Sequence, residues 1–237
     1  MKFDPQFFQA FGLAVLFVSL YVAEHIVPAR KMVWSKKHDL VNMLIGALNL
    51  IIVFSGGYLL GKLLASVQSH HFGLLNLFFI PQTLHLILQV IFIDLVMYWW
   101  HRINHLIPLF WRFHKFHHKD EQMNSTSTLR FHPIEQLLSS LMKLALFPLL
   151  GLTDTGIFIY GFLFFPVILI HHSNICMSEK TDHIYRKFFV SPLMHRTHHS
   201  RIRQETDSNY GSVFPFWDRL FKSYTKKPLG PLNFGIE

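Results

Sequence analysis

The sequence is poor in cysteine and in acidic residues, and each shortage limits what the protein can be. Cys176 is the one cysteine in 237 residues, so the chain by itself forms no disulfide framework and holds no cysteine-ligated cluster. Asp and Glu number 14 against 22 Lys and Arg, which gives a formal charge of +8. We interpret this charge as a sign of membrane-flanking loops rather than of nucleic-acid binding, because the basic residues stand beside long apolar runs.

Apolar residues are abundant instead, and they are gathered in runs. They make up 51% of the chain and give it a mean hydropathy of +0.29, too apolar for an ordinary soluble protein. Because a membrane helix needs about 20 residues, the three long runs predict membrane helices. The long runs are 7–23, 40–64 and 80–100. The shorter runs 137–152 and 157–170, separated by a predicted turn at 153–156, form a hairpin that either just spans the bilayer or only dips into it.

Lysine and arginine predict which helix ends share one side of the membrane. Of the 22 such residues, 19 lie between the first and second runs, between the third and fourth runs, or after His172. The loops 65–79 and 153–156 contain none. The positive-inside rule therefore assigns the basic segments to the cytoplasm. The first run is not followed by a signal-peptidase-like site, and we find no repeat or Gly/Ser linker. We expect a retained first helix and a single domain over 1–237.

Histidine is the outlier in the composition, and its spacing indicates metal binding. There are 17 histidines, and most of them stand in short motifs. His101 and His105 follow the third run at a spacing that puts both on one face of a continued helix. The spacing H-x2-H-H then occurs twice. These motifs contain His114, His117 and His118, and His195, His198 and His199.

The predicted topology brings these motifs to the same side of the membrane, because the hairpin also ends there, at His171 and His172. Neutral imidazole suits iron, copper, zinc and nickel. Eight or nine histidines exceed the four ligands of a structural zinc site, so two metals are expected. We interpret the remaining histidines as surface or hydrogen-bonded residues. They are His25, His38, His70, His71, His85 and His183.

The motifs H-x3-H at His101 and H-x2-H-H at His114 and at His195 resemble the three histidine boxes of the fatty acid hydroxylase / sterol desaturase superfamily of membrane di-iron enzymes. Other segments also resemble that superfamily, in its order, and extend the resemblance over about 94–221. They are 113–119, 130–135, 172–175, 207–211 and 217–221. The short gap between His105 and His114 resembles the hydroxylase branch rather than acyl-CoA desaturases.

The resemblance implies a set of metal ligands and of side chains that support them. The implied ligands are His101, His105, His114, His117, His118, His172, His195, His198 and His199. His171 is the alternative to His172. Asp94 shares the helix face of His101, and we expect it either to accept a hydrogen bond from that ring or to join two helices. The same choice, between support of the ligands and a cap or turn, applies to His132, Glu135, Asp207, Asn209 and Asp218.

The resemblance also implies an activity in which the dimetal centre itself is the catalytic group. Two iron ions, replaceable by zinc in purified protein, would use O2 to hydroxylate or desaturate a lipid such as a sterol, a fatty acyl chain or an ether lipid. Since one cysteine binds no cluster, a separate ferredoxin or cytochrome b5-like protein and its reductase would supply electrons. No nucleic acid is expected as a partner. The expected location is the bacterial inner membrane or the endoplasmic reticulum, with the histidines on the cytoplasmic side.

The competing interpretation is a histidine-rich membrane protein that handles metals, either a transporter or a zinc-binding scaffold. A transporter should line its spans with ionisable residues. Here the ionisable residues inside the runs are few, among them Asp94, His85 and Lys143, and the histidine motifs stand at the ends of the runs. We therefore predict an all-α integral membrane protein with about four transmembrane helices, the last two forming a hairpin, and a cytoplasmic helical cap that holds a histidine-rich dimetal site.

Overall fold

The chain folds almost entirely into helices. The computed structural model describes residues 5–31 and 34–237, and over these residues the regular structure consists of ten α-helices, two short 3-10 helices and one isolated bridge between Pro28 and Ile175. The α-helices are α1 (Pro5–Ile26), α2 (Lys36–Ser69), α3 (Gln82–Leu106), α4 (Pro108–His118), α5 (Pro133–Leu150), α6 (Asp154–His172), α7 (Glu179–Tyr185), α8 (Pro192–His198), α9 (Arg203–Thr206) and α10 (Phe216–Leu220). The predicted all-α class is confirmed.

Five helices in the described part of the chain, α1, α2, α3, α5 and α6, are long and apolar enough to cross a membrane. Since α5 and α6 have 18 and 19 residues, both meet this criterion, and the expected count of about four spans is not confirmed. The predicted turn at 153–156 was too long. Thr153 caps α6 by accepting a hydrogen bond from the Gly156 amide, so Asp154 already lies in the first helical turn.

The long helices expose large apolar side chains on their outer surfaces. Phe7 on α1, Phe54 on α2 and Phe162 on α6 are each more than half exposed. A bilayer would surround such side chains with hydrocarbon, whereas water would solvate them poorly. The buried residues include many polar and charged side chains, among them most of the histidines. This distribution is that of an integral membrane protein.

The two connections without lysine or arginine meet at one end of the bundle. Gly73, in the α2–α3 connection, has a φ of +102°, and a Cβ atom there would lie 2.4 Å from the Cα of Gly151. Gly151 ends α5 in the left-handed conformation, with a φ of +74°. Glycine at both positions therefore permits a close backbone approach that other residues would block.

At the opposite end, buried polar contacts fasten the loop between α4 and α5 to the first two helices. Both carboxylate oxygens of Glu24 on α1 accept from the Ser125 amide, at 3.1 Å each. Asp39 on α2 accepts from the side-chain amide of Asn124 at 2.8 Å. Because these groups are buried, losing one partner would leave the other unsatisfied at a cost of about 1–3 kcal/mol. The loop is thus held in one position over the helix ends.

Asp94 fastens the C-terminal part of the chain to the bundle. Its oxygens accept from the Tyr160 hydroxyl on α6 (2.7 Å) and the Trp217 indole on α10 (3.0 Å). They also accept from the amides of Val213 and Phe214, at 3.2 Å each. One of the two expectations for Asp94 was a hydrogen bond from His101. Its carboxylate instead faces α6 and the 213–217 segment, and His101 donates to the Tyr210 carbonyl. The alternative expectation, a contact between helices, describes its role.

We expect Gly73→Ala to destabilise the fold, whereas Gly57→Ala should not. The added methyl group at Gly73 would overlap the Gly151 backbone at a positive φ, with an expected loss of about 2 kcal/mol or more. Gly57 has no atom within 4 Å of its built Cβ position and lies inside α2, where alanine is favoured. Thermal unfolding of the detergent-purified variants measures the difference. Equal midpoints would contradict the contact between the two connections.

Candidate metal centre

Four helices bring the nine histidines of the predicted ligand set to one end of the bundle. α3 continues to Leu106, which is the condition under which His101 and His105 were expected to share one face, so both rings lie on its last turns. The other seven lie near the C-terminal ends of three further helices. They are His114, His117 and His118 on α4, His172 on α6, and His195, His198 and His199 on or directly after α8.

The rings form two groups, and within each group the candidate ligand nitrogens lie within 4.8 Å of one another. The larger group contains His101, His105, His114, His118 and His198, and the smaller group contains His117, His172, His195 and His199. The groups are adjacent, since the stacked rings of His118 and His199 have centroids 4.4 Å apart. In each H-x2-H-H motif the i,i+4 pair stays in one group, and the histidine between joins the other. Helical periodicity thus lets one motif serve two sites.

In the smaller group the Nε2 atoms face one another. The Nε2 of His172 lies 3.2 Å from that of His117 and 2.9 Å from that of His195. The Nε2 atoms of His195 and His199 are 3.1 Å apart. Nitrogens that bind one metal ion at about 2.0–2.1 Å must lie about 3 Å from each other. The spacing of these four atoms fits a shared cation.

Hydrogen bonds from outside fix the proton position in two of these rings. The Nδ1 of His117 donates to the Arg130 carbonyl (3.2 Å), and that of His172 donates to the Ile168 carbonyl (2.9 Å), because a carbonyl oxygen can only accept. A neutral ring protonated at Nδ1 has a lone pair at Nε2. The contact between His117 and His172 therefore sets two lone pairs against each other, and a cation between them would turn this repulsion into attraction.

The larger group is oriented in the same way. The Nδ1 of His101 donates to the Tyr210 carbonyl (2.9 Å), and that of His198 donates to the Ser208 carbonyl (2.7 Å). The Nε2 atoms of His105 and His198 are buried and have no hydrogen-bond partner among the described residues. Buried polar atoms are rarely left unsatisfied. This group also fits a metal ion.

Two of the predicted supporting carboxylates reach the larger group. Glu135, in the first turn of α5, accepts from the Nδ1 of His114 at 2.7 Å, and both side chains are buried. Asp207 lies 3.4 Å from the Nδ1 of His105, and its other oxygen accepts from Arg203 at 2.6 Å. A carboxylate on the outer nitrogen orients the ring and makes the inner nitrogen a better ligand. Glu135 and Asp207 are placed to do this.

Asp218 and Asn209 act on the backbone that carries these acceptors. Asp218 accepts from the amides of Tyr210 (2.7 Å) and Gly211 (2.9 Å). Asn209 has a φ of +53°, and its side chain accepts from the Thr225 amide at 3.0 Å. The open choice for these two residues is thus resolved in favour of turns. Both hold the segment whose carbonyl groups orient the larger group.

His132 and His171 lie outside both histidine groups of the described chain. His132 accepts from the Ile134 amide at 3.2 Å and caps α5, so of the two expectations for it, the cap is the one observed. His171 stacks on His195 with ring centroids 3.8 Å apart. Its neighbour His172 contributes a nitrogen to the smaller group, because the end of α6 turns only one of the two adjacent rings toward it.

Burial keeps four of the rings on α4 and at the end of α8 neutral, by lowering the pKa of each, and the neutral ring is the form that binds metals. Burial lowers the pKa of His198 to about 3, against the opposing effect of the Ser208 carbonyl. Burial and the neighbouring imidazoles likewise hold the pKa values of His117, His118 and His199 well below the ordinary histidine range. At neutral pH these rings are therefore available as ligands.

Sequence reasoning missed two features near the site. The Trp111 ring centroid lies 4.8 Å from that of His105 and 5.4 Å from that of His118. His38, interpreted as a surface or hydrogen-bonded residue, is hydrogen-bonded, and the missed feature is its remote partner, the carboxylate of Asp120 just beyond α4, at 2.8 Å. Burial alone would raise the pKa of Asp120, but the His38 contact and nearby donors hold it well below its usual range. The contact of His38 with Asp120 joins residues 82 positions apart, so no local pattern indicates it. Trp111 is close to both rings in sequence, and its i,i+7 spacing to His118 on α4 is the signal that could have indicated this contact.

Several proteins of known activity are similar to this chain. It is 28% identical over 149 residues to an ornithine lipid hydroxylase of Rhizobium tropici, a match that covers 62% of this chain and 44% of that protein. It is 28% identical over 134 residues to an alkylglycerol monooxygenase of Xenopus tropicalis, covering 56% and 28%. It is 30% identical over 151 residues to a Delta(7)-sterol 5(6)-desaturase of Gibberella zeae, covering 62% and 43%. The matches thus span less than half the length of each relative.

A family model supports the same relationship, although no solved structure matches the chain. The model for the family described as fatty acid hydroxylase matches residues 86–223, more than half of the 237 residues. The matched region contains all nine histidines of the two groups and both carboxylates that contact them. By this match, the chain belongs to the fatty acid hydroxylase family.

Proposed function

We propose that this protein is a membrane-bound oxygenase that holds one iron ion in each histidine group and uses O2 to hydroxylate a lipid. The observation that carries the proposal is the opposed Nε2 atoms of His117 and His172, 3.2 Å apart with both protons held on Nδ1 by carbonyl groups. Imidazole ligands alone suit several transition metals. Two adjacent groups in a member of this family favour a pair of iron ions.

The iron pair, when bound, would supply the oxidising chemistry: with two electrons and two protons, one atom of O2 enters a C–H bond and the other leaves as water. The chain's own residues supply position and dryness. Glu135 and Asp207 hold His114 and His105 from outside, and burial of the rings keeps bulk water away. Neutral ligands also leave the positive charge of the metals largely uncompensated.

A lipid substrate follows from the location of the site. The histidines lie at the ends of α3 and α6, whose lengths and apolar surfaces suit a bilayer. A lipid can reach this level laterally, with its tail among the helices and its polar head at the surface. By their names, the relatives act on an ornithine lipid, an alkylglycerol and a sterol. The proposal therefore concerns lipids as a class, with the histidine end facing the cytoplasm.

Desaturation is a second candidate, because one of the relatives is named as a desaturase. The same inputs, O2 with two electrons and two protons, would then remove two hydrogens from adjacent carbons and release two water molecules. Product analysis by mass spectrometry separates the two outcomes. A hydroxylated lipid gains the mass of one oxygen atom, about 16 mass units, whereas a desaturated lipid loses the mass of two hydrogen atoms.

The proposal is tested by the metal content of detergent-purified protein expressed in iron-supplied medium. We expect about two irons per chain, as two histidine groups require, with Mössbauer spectra that change on reduction and on exposure to O2. Stable zinc alone, with no iron uptake after stripping and reconstitution, would instead favour the metal-handling protein. That result would contradict the proposed oxygenase.

Replacing His117 or His198 by alanine should abolish lipid oxidation and lower the iron content. Each removes one nitrogen from a different group, so both single variants should fail. His70→Ala and His183→Ala are the matched controls, since both histidines are exposed and outside the two groups. Iron analysis and product formation are measured on all four variants. Equal losses in the controls would argue against the assigned site.

Glu135→Gln should weaken metal binding without abolishing the fold. The neutral amide still reaches His114 but no longer offers a negative charge to its outer nitrogen, and loss of such a partner typically costs about 10–100-fold in metal affinity or activity. Competition with a chelator measures the change. Glu179→Gln, at an exposed position on α7, is the control. Unchanged iron retention in Glu135→Gln would show that the carboxylate does not support the ligand.

A further inference from the structure

α4 presents two different faces to its surroundings. Its inner face carries the histidines of the metal centre, whereas its outer face carries three cations spaced three and four residues apart. These cations are Arg112 and Lys115 on α4 and Lys119 directly after its end. Helical geometry puts all three within one narrow stripe and puts Trp111 at the boundary between that stripe and the histidines. The side of the metal centre that faces away from the helix bundle is therefore cationic.

A depression of about 260 Å³ lies beside this boundary. It is lined by Trp111, Lys115, Arg201 and Arg203, and by the chain end at Ile236 and Glu237. The guanidinium of Arg203 lies over the Trp111 ring, 4.6 Å from its centroid. Two of these cations have acidic partners, because Arg201 lies 3.8 Å from Glu121 and Arg203 pairs with Asp207. The positive charge at the rim is therefore supplied mainly by Lys115, together with Arg112 and Lys119 of the same stripe. The charge pattern suits an acidic partner.

Trp111 connects this depression to the larger histidine group. On its inner side the indole contacts the rings of His105 (centroids 4.8 Å apart) and His118 (5.4 Å). Arg203, on its outer side, is also bonded to Asp207, which in turn lies against His105. One aromatic side chain therefore spans the distance from the surface to two of the candidate ligands. Electrons pass between proteins through such short paths of contacting groups.

We propose that the depression around Trp111 is where a small acidic one-electron carrier protein docks and delivers electrons to the larger histidine group. This inference rests on the proposed function, which requires two electrons per turnover. Two reduced carriers would each give one electron and leave oxidised. Together with two protons and O2, these electrons convert a C–H bond into C–OH and release one water. The single cysteine means that the chain cannot hold a cysteine-ligated cluster for this purpose itself.

Charge reversal at the rim tests the docking site without touching a candidate ligand. We expect Lys115→Glu to weaken binding of oxidised plant-type ferredoxin to the full-length protein about tenfold at low ionic strength, with the difference vanishing at high salt. Lys187→Glu, at an exposed position between α7 and α8, is the matched control and should bind as the parent does. Binding is measured with metal-free as well as iron-loaded protein, so this readout does not depend on oxidation of a lipid. Equal binding by the two variants would overturn the docking site.

The route through Trp111 is tested separately, by the rate at which iron-loaded protein oxidises reduced ferredoxin in anaerobic stopped-flow. Trp111→Leu should slow this step at saturating ferredoxin and leave its salt dependence unchanged, with Trp111→Phe between it and the parent. An unchanged rate in an iron-loaded Trp111→Leu protein would overturn the route. If Lys115→Glu instead lost bound phosphatidylglycerol while keeping normal ferredoxin binding, the depression would be a lipid headgroup site and the proposal wrong.

Failure of the inference is distinguishable from failure of the proposed function. A parent protein that takes up no iron would contradict the oxygenase itself. A parent protein that holds iron and is reduced by a small neutral reductant, but whose ferredoxin binding is insensitive to Lys115→Glu, would keep the oxygenase and remove this docking site.

Discussion

Nine histidine rings are packed in two groups, and in the smaller group successive Nε2 atoms lie about 3 Å apart. Lone pairs that face one another at this distance repel until a cation lies between them, so the surrounding segments have to hold the rings from outside. Six of the nine rings have such an outer partner. Carbonyl groups at positions 130, 168, 208 and 210 and two carboxylates accept from the outer nitrogens. The protons are thereby kept on Nδ1, and the inner nitrogens are left ready to bind.

These acceptors are in turn fixed by buried polar anchors. Asp94 ties the 213–217 segment to α3 and α6, and Asp218 ties the amides of Tyr210 and Gly211. Glu24 ties the loop after α4 to α1. Loss of these donors would leave a buried carboxylate unsatisfied, which is costly. The contacts of Asp94 and Glu24 therefore hold the segments around the site to the helix bundle. The charged residues inside the apolar helices therefore serve the site from a distance, by holding the segments that orient its rings.

The position of the site at the ends of apolar helices gives it two different surroundings. The helices present an apolar surface, whereas the outer face of α4 presents cations; under the proposed function the first would meet a lipid and the second a water-soluble electron carrier. A helix only 11 residues long can do this because its polar and ligand residues recur at helical spacing on opposite sides. The oxidisable substrate and the source of electrons would thus approach from different directions without competing for one opening.

The elements that depend on local rules were predictable from the sequence. Apolar runs predicted the long helices because a bilayer admits few other structures. The spacing of His101 and His105 indicated that both rings share one face of a continued α3, because helical periodicity is local. The histidine motifs also indicated the family, because their residue types and spacing are local features of the sequence. Partners that lie on remote segments were not predictable: the Tyr210 carbonyl for His101, and Tyr160 and Trp217 for Asp94.

The sequence by itself determined an all-helical membrane protein with clustered histidines, a residue type that suits transition metals, because composition and short-range spacing decide those properties. Only the tertiary structure decided that the histidines divide into groups of five and four, that His172 rather than His171 joins the smaller group, and that α6 begins at Asp154. Each of these outcomes depends on how helices far apart in the chain rotate and pack against one another. A ring's neighbours are set by that packing, whereas its own helix sets only the face on which it stands.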